Sequence, residues 1–373
     1  MSALFSPLTL RSSNHAVHLP NRIVVAPMCQ YSAQEGQASD WHLAHWASLL
    51  NSGAGLVTIE ATGVSPEGRI TPHCLGLFDD ACALALSETL QRAKALAPPT
   101  PISIQLSHAG RKASCAAPWR GGAQLSSDSG GWSTLAPSSL AHNPSDTAPQ
   151  ALDQQGIERI IQDFAKAAQR AQDMGIDVIE LHAAHGYLIH QFLSPLSNQR
   201  QDAYGGSFEG RIRFALEVFQ AVREVFSGPL GMRISATDWV DGGWTPEETA
   251  QLCVRLKSSG ADFAHISSGG LSPLQKIVPT PGYQVEFASL VKKTSQLPTM
   301  AVGLITTAEH AQAVIESGDA DMVAIARALL YKPRWPWEAA AHLNAHVSAS
   351  PQYWRCLPPE AAHVFNPPQD SKA

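Results

Sequence analysis

Charge is scarce in this chain, and basic charge is the scarcer kind. Only 16% of the residues are charged, and Asp plus Glu outnumber Lys plus Arg by 32 to 26, for a net charge of −6. A grip on nucleic acid or an anionic membrane needs a basic surface, so a small molecule is the expected partner. The six cysteines (Cys29, Cys74, Cys82, Cys115, Cys253 and Cys356) form no C-x-x-C pair. That removes the sequence grounds for a cysteine metal site, an iron–sulfur cluster or a redox dithiol, and suits reduced thiols in the cytoplasm. No apolar run reaches the ~18 residues of a membrane helix, and the start, Met1-Ser2-Ala3-Leu4-Phe5-Ser6-Pro7, lacks the regions of a secretion signal. No G-x-G-x-x-G follows a strand, which argues against a separate dinucleotide-binding domain.

What the chain does have is length and apolar content: 373 residues, 44% hydrophobic, enough to bury a large core. After an irregular start, apolar runs bounded by turn residues read as eight strands: 22–28, 55–61, 101–107, the run that opens 177–187, 229–235, 262–267, 299–302 and 321–325. Helical patterns separate them, among them 41–50, 81–96, 155–174 and 208–226, with Pro246 opening another. The alternation predicts one (β/α)₈ barrel spanning 1–373 rather than a doubly wound sheet. Two stretches stand apart: an extended loop at 108–150, rich in Gly, Ser, Pro and Ala, and a C-terminal tail, 346–373, whose Tyr353-Trp354-Arg355 suits a subunit contact.

Chemistry concentrates in Asp177-Val178-Ile179-Glu180-Leu181-His182-Ala183-Ala184-His185-Gly186-Tyr187. A buried strand delivers two histidines and a tyrosine to its carboxyl end, where the loops of such a barrel converge. Two imidazoles can hold a carbonyl oxygen while a phenol protonates the carbon beside it. A zinc site and a structural polar cluster remain open on the local pattern; His108 is a conceivable third ligand.

The chain resembles the Old Yellow Enzyme family of flavin-dependent ene-reductases, in its cysteine-containing class, which includes the bacterial xenobiotic reductases. The resemblance rests on Ala26 to Tyr31, Gln105 to Lys112, Glu180 to Tyr187, Gln191 to Pro195, Asp202 to Ser207 and Ala301 to Gly303, in that order along nearly the whole chain. It implies tightly held FMN, NADPH in preference to NADH as reductant, and ping-pong reduction of an activated alkene: an enone, enal, maleimide or nitroalkene. His182 and His185 then hold the substrate oxygen, hydride reaches the β-carbon from the flavin N5, and Tyr187 protonates the α-carbon. Around the flavin the resemblance sets Pro27, Met28, Cys29, Ala61, Gln105, His182 and Arg233, with Gly303, Ala326 and Arg327 at its phosphate. Plain packing remains open for Cys29 and Ala61, and a rim salt bridge for Arg327.

Tyr31 resembles a substrate contact, with packing as its alternative. Trp354 and Arg355 resemble residues that enter a neighbouring subunit's site, which implies a homodimer or homotetramer; a tail folded back on its own barrel is the alternative. Ala326 stands where the family usually has glycine. Gly210 stands where asparagine is common, and a weakened helix is expected there. A flavin carrier without turnover and a metal-dependent hydrolase are the rival functions.

Overall fold

Runs of β-branched and aliphatic residues, punctuated by helix caps, set up an alternation of strand and helix. The computed structural model describes residues 2–365 and closes that alternation into a barrel. The first element is an antiparallel hairpin of β1 (Leu8–Arg11) and β2 (Ala16–Leu19). There follow β3 (Ile23–Val25), α1 (Asp40–Leu50), β4 (Leu56–Gly63), α2 (Asp80–Lys94) and β5 (Ile102–Ser107). The long segment after β5 carries the short parallel pair β6 (Leu135–Ala136) and β7 (Gln150–Ala151). Then come α3 (Gln154–Asp173), β8 (Val178–Ala183), α4 (Leu188–Leu193), α5 (Phe208–Val225), β9 (Leu230–Ser235), α6 (Pro246–Ser258) and β10 (Phe263–Ser267). The chain continues through α7 (Val285–Ser295), β11 (Thr299–Ala301), α8 (Ala308–Glu316), β12 (Met322–Ile325), α9 (Arg327–Tyr331) and α10 (Trp335–His342).

The eight strands β3, β4, β5, β8, β9, β10, β11 and β12 pair in parallel in that order, and β12 closes on β3. This is the (β/α)₈ barrel expected from the alternation. Local chemistry explains the helix starts. Asp153 caps α3 by accepting from Gly156 N at 2.7 Å, and Thr245 with Glu248 forms a capping box on α6, whose first residue is Pro246. The outer faces of the strands and the inner faces of the helices form the main core, in which Ile157, Ile160 and Phe164 of α3 are fully buried.

Two expectations are corrected. The irregular start is a hairpin whose Leu10 and Leu19 enter the barrel's lower end, packing with Val24, Leu56, Val178, Phe263, Met300 and Met322. Its four-residue strands are too short for alternation to register in the sequence. Gly210 does not weaken α5: it lies in the first turn, where an added Cβ would sit 2.2 Å from Gly205 O, so close packing demands glycine.

The tail folds onto its own chain as far as residue 365. Trp337, Val347, Val364 and Phe365 form a small separate core, and Arg334 stacks over the rings of Trp337 and Tyr353. Residues 366–373 of the expected tail lie outside the described residues.

Candidate active site

In a parallel barrel every strand ends on the same rim, so residues distant in sequence meet there. Pro27, Met28, Cys29 and Tyr31 follow β3, and Ala61 lies near the end of β4. Gln105 is on β5, His182 on β8 with His185 and Tyr187 beyond it, and Arg233 is on β9. Gly303 follows β11, while Ala326 and Arg327 follow β12. All of these expected site residues therefore share one end of the barrel.

Trp354 and Arg355 do not join them. They sit in an exposed turn, Pro351–Cys356, and Trp354 donates Nε1–H to Ala349 O at 3.0 Å. Trp354 also lines a groove with Ala95 to Pro99, ahead of β5 and so at the opposite end of the barrel. They are not substrate contacts of this chain's own site.

The two histidines meet ring nitrogen to ring nitrogen. Ala184 N–H donates to His182 Nδ1 at 3.2 Å, which places the imidazole proton on Nε2. His182 Nε2 faces His185 Nδ1 at 3.5 Å. His185 Nε2 lies 2.8 Å from Ser267 Oγ, whose hydroxyl also lies 3.3 Å from Gln284 Oε1, and Ser268 Oγ donates to the same amide oxygen at 2.7 Å. With the Ser267 hydroxyl turned to Nε2, His185 carries its own proton on Nδ1. Two N–H groups then converge with no protein acceptor between them. Burial, aided by the Arg233 charge, holds both imidazoles well below the ordinary histidine range, so they stay neutral.

The Tyr187 ring stands edge-on to His182, with centroids 4.8 Å apart, and Lys112 Nζ lies 5.4 Å from its centroid. Burial raises the phenol well above its ordinary value, so it keeps its proton. Lys112 donates to His185 O and Gly270 O, both at 2.8 Å, and burial beside Arg111 lowers it to about 8. Outside Tyr187 lies a cavity of about 230 Å³, lined by Tyr31, Lys112, Cys115, Gln124, His142 and Asp146 among others. The 108–150 segment thus forms its wall.

Beneath the histidines a polar layer spans four strands. Gln105 Nε2 donates to Glu180 Oε1 at 2.7 Å, and His265 Nδ1 lies 2.7 Å from Glu180 Oε2. Burial would raise the Glu180 carboxyl, but His265, Arg233 and Gln105 outweigh it and hold it below its ordinary range. The bond to Glu180 turns the amide oxygen of Gln105 away as an acceptor. Arg233 is 8% exposed, its Nε has no partner, and it forms no ion pair among the described residues. An unpaired buried guanidinium is costly, so this one is built for an anionic or oxygen-rich ligand.

Beside this layer, Cys29 stays a thiol: burial pushes it well above its ordinary value, and Cys74 and Glu60 add to the effect. Gly303 (φ +117°) offers close backbone approach, and Arg327 is exposed on the rim.

Sequence reasoning gave no role to Glu60, Lys112, Glu180, His190, Asp238 or His265. Glu180 had a signal, because it lies two residues before His182 and strand periodicity turns both into the barrel. A metal centre has no support among the described residues, where no three His, Cys, Asp or Glu side chains gather in a suitable group.

Comparison with known proteins agrees with the geometry. Residues 3–346 match the NADH:flavin oxidoreductase / NADH oxidase family. An NADPH dehydrogenase of Geobacillus thermodenitrificans (strain NG80-2) is 42% identical over 356 residues, 95% of this chain and 98% of that protein. An NADH:flavin oxidoreductase of Gibberella zeae is 44% identical over 84% of this chain and 80% of its own. Among solved structures, morphinone reductase superposes with a TM-score of 0.75 at 27% identity, covering 99% of this chain and 94% of its own. Fold, site and relatives together place the chain in the NADH:flavin oxidoreductase / NADH oxidase family, the Old Yellow Enzymes, and make it an oxidoreductase.

Proposed function

We propose that the chain is an FMN-dependent reductase of activated alkenes that draws its electrons from NADPH. The observation that carries this reading is the pair of neutral imidazoles, whose Nε2 and Nδ1 atoms lie 3.5 Å apart and serve as donors when each bears its proton, beside a protonated tyrosine. Two such donors hold one oxygen of an enone, enal, maleimide or nitroalkene and draw electron density from its double bond. The neighbouring Tyr187 phenol delivers a proton to the α-carbon.

The residues present fit FMN. Arg233 supplies an unpaired buried cation, Gln105 an oriented amide oxygen, Cys29 a thiol proton, and Pro27, Met28 and Ala61 an apolar wall. Gly303, Ala326 and Arg327, with backbone N–H groups and one guanidinium, would hold its phosphate. When bound, FMN supplies the hydride chemistry that no protein side chain offers. NADPH is favoured over NADH because two relatives, each 42% identical over 94% or more of this chain, are named NADPH dehydrogenases.

A cytoplasmic homodimer or homotetramer completes the proposal, its assembly supported by the exposed Trp354 and Arg355. Sedimentation reads the assembly directly. A monomer would remove the subunit contact.

The role of Tyr187 is tested by separating the half-reactions. Tyr187→Phe should leave flavin binding and anaerobic bleaching by NADPH within about twofold of the parent, while slowing reoxidation by 2-cyclohexenone about 10²-fold or more. Equal loss in both half-reactions would contradict the assigned role.

A further inference from the structure

Between the two groups that the proposed chemistry needs to register, the backbone takes an unfavourable path. His185 and Gly186 both adopt left-handed conformations, with φ of +57° and +76°. A left-handed non-glycine residue costs energy that its surroundings must offset. Here all four backbone polar atoms of the dipeptide are held by side chains. His185 N–H donates to Ser235 Oγ at 2.9 Å, and His185 O accepts from Lys112 Nζ at 2.8 Å. Gly186 N–H donates to His190 Nδ1 at 2.9 Å, and Gly186 O accepts from Gln191 Nε2 at 2.7 Å.

One of these four holds has a carboxylate behind it. His190 Nε2 lies 2.8 Å from Asp238 Oδ1, and both side chains are fully buried. Asp238 Oδ2 accepts from Ser194 Oγ at 2.6 Å and from Trp244 N at 2.8 Å. A buried Asp–His pair is expensive to desolvate and contributes little stability over an apolar pair of the same volume. Neither side chain lines the cavity beside Tyr187.

We propose that Asp238 and His190 are positioning residues for alkene reduction, locking the His185–Gly186 turn so that the His185 ring and the Tyr187 phenol are held in one register. The inference rests on the roles proposed above for those two rings. Its logic lies in the proton on His190. Gly186 N–H can only donate, so Nδ1 must be bare and Nε2 must carry the hydrogen, which requires a partner that only accepts. A carboxylate is such a partner. Asp238→Asn keeps the shape and breaks the logic: Oδ2 has two donors on it, so the amide oxygen stays there and the NH₂ group confronts Nε2–H. The imidazole then moves its proton to Nδ1, against Gly186 N–H, and the turn loses its clamp.

The test uses the full-length, flavin-loaded protein and two readouts. ¹⁵N spectra of the histidine rings should show His190 with its proton on Nε2 in the parent and on Nδ1 in Asp238→Asn. Anaerobic mixing should show bleaching by NADPH within about threefold of the parent, with reoxidation by saturating 2-cyclohexenone slowed about 10²-fold, the scale expected of a ~1 Å misplacement. His190→Gln, whose amide oxygen and NH₂ stand in for Nδ1 and Nε2, should restore most of that rate. His190→Phe, of similar volume and without polar atoms, should not.

An unchanged tautomer in Asp238→Asn overturns the proposal. So do parent-like reoxidation in both Asp238→Asn and His190→Phe, equal losses in both half-reactions, or a His190→Gln variant as slow as His190→Phe. A Tyr187→Phe variant that reoxidises normally would instead sink the parent reading of the site, while the tautomer measurement would still report on the clamp.

Discussion

At the scale of single residues, the site depends on groups that burial keeps uncharged. His182 and His185 are held well below the ordinary histidine range, first by burial and then by Arg233. Burial also lowers His45, His108 and His142 to about 4. For such groups the unfolded chain takes up protons as pH falls below about 6.5, whereas the native protein does not until far lower. Stability is therefore fully present above that value and is lost as pH falls from it toward the folded-state values. The buried carboxylates Glu180 and Asp238, held below their ordinary range, push in the same direction. The denaturant midpoint should drop between pH 7 and pH 5, while alkene reduction by the still-folded enzyme shows no ionisation near pH 6.5. An activity loss with an apparent pKa near 6.5, at constant fold, would show that the histidine pair titrates as exposed imidazoles do.

Which residues were legible also divides at this scale. His182, His185 and Tyr187 stood out because strand, loop and chemistry coincide within eleven residues. Asp238 did not, since its partner His190 is 48 positions away and only the fold brings them together. Trp354 and Arg355, expected from the resemblance to enter a neighbouring subunit's site, lie at the far end of the barrel from this chain's own rim.

Among the elements, the strands were the most legible, because the fully buried β4, β5, β8, β9 and β10 are short, largely apolar runs broken only by isolated polar residues. The β1–β2 hairpin was not, although it closes the barrel floor. Leu10 and Leu19 are 1% and 0% exposed there. Replacing Leu10 with Ala should destabilise the protein by about 2–5 kcal/mol, read as a lower denaturant midpoint with an unchanged slope. A loss under about 1 kcal/mol would show that the floor is filled by other side chains. The 108–150 segment was legible only as an extended loop; its short β6–β7 pair has too few residues to carry a pattern.

For the molecule as a whole, the barrel is graded from an apolar floor to a polar rim. Leu10, Leu19, Leu56, Val178 and Phe263 fill its base, while Gln105, Glu180, Arg233 and His265 meet above them, with an unpaired cation facing the place where FMN is proposed to lie. The eightfold alternation made this architecture legible, whereas the pairings of the polar layer depend on register between strands, which no single segment encodes. The measurement that tests the central claim most directly is the visible spectrum of the purified protein under anaerobic conditions, first with NADPH and then with 2-cyclohexenone. The account expects a yellow protein that bleaches with NADPH and regains its colour with the enone. A colourless protein that takes up no FMN, or a yellow one that bleaches and stays bleached with the enone, would contradict it.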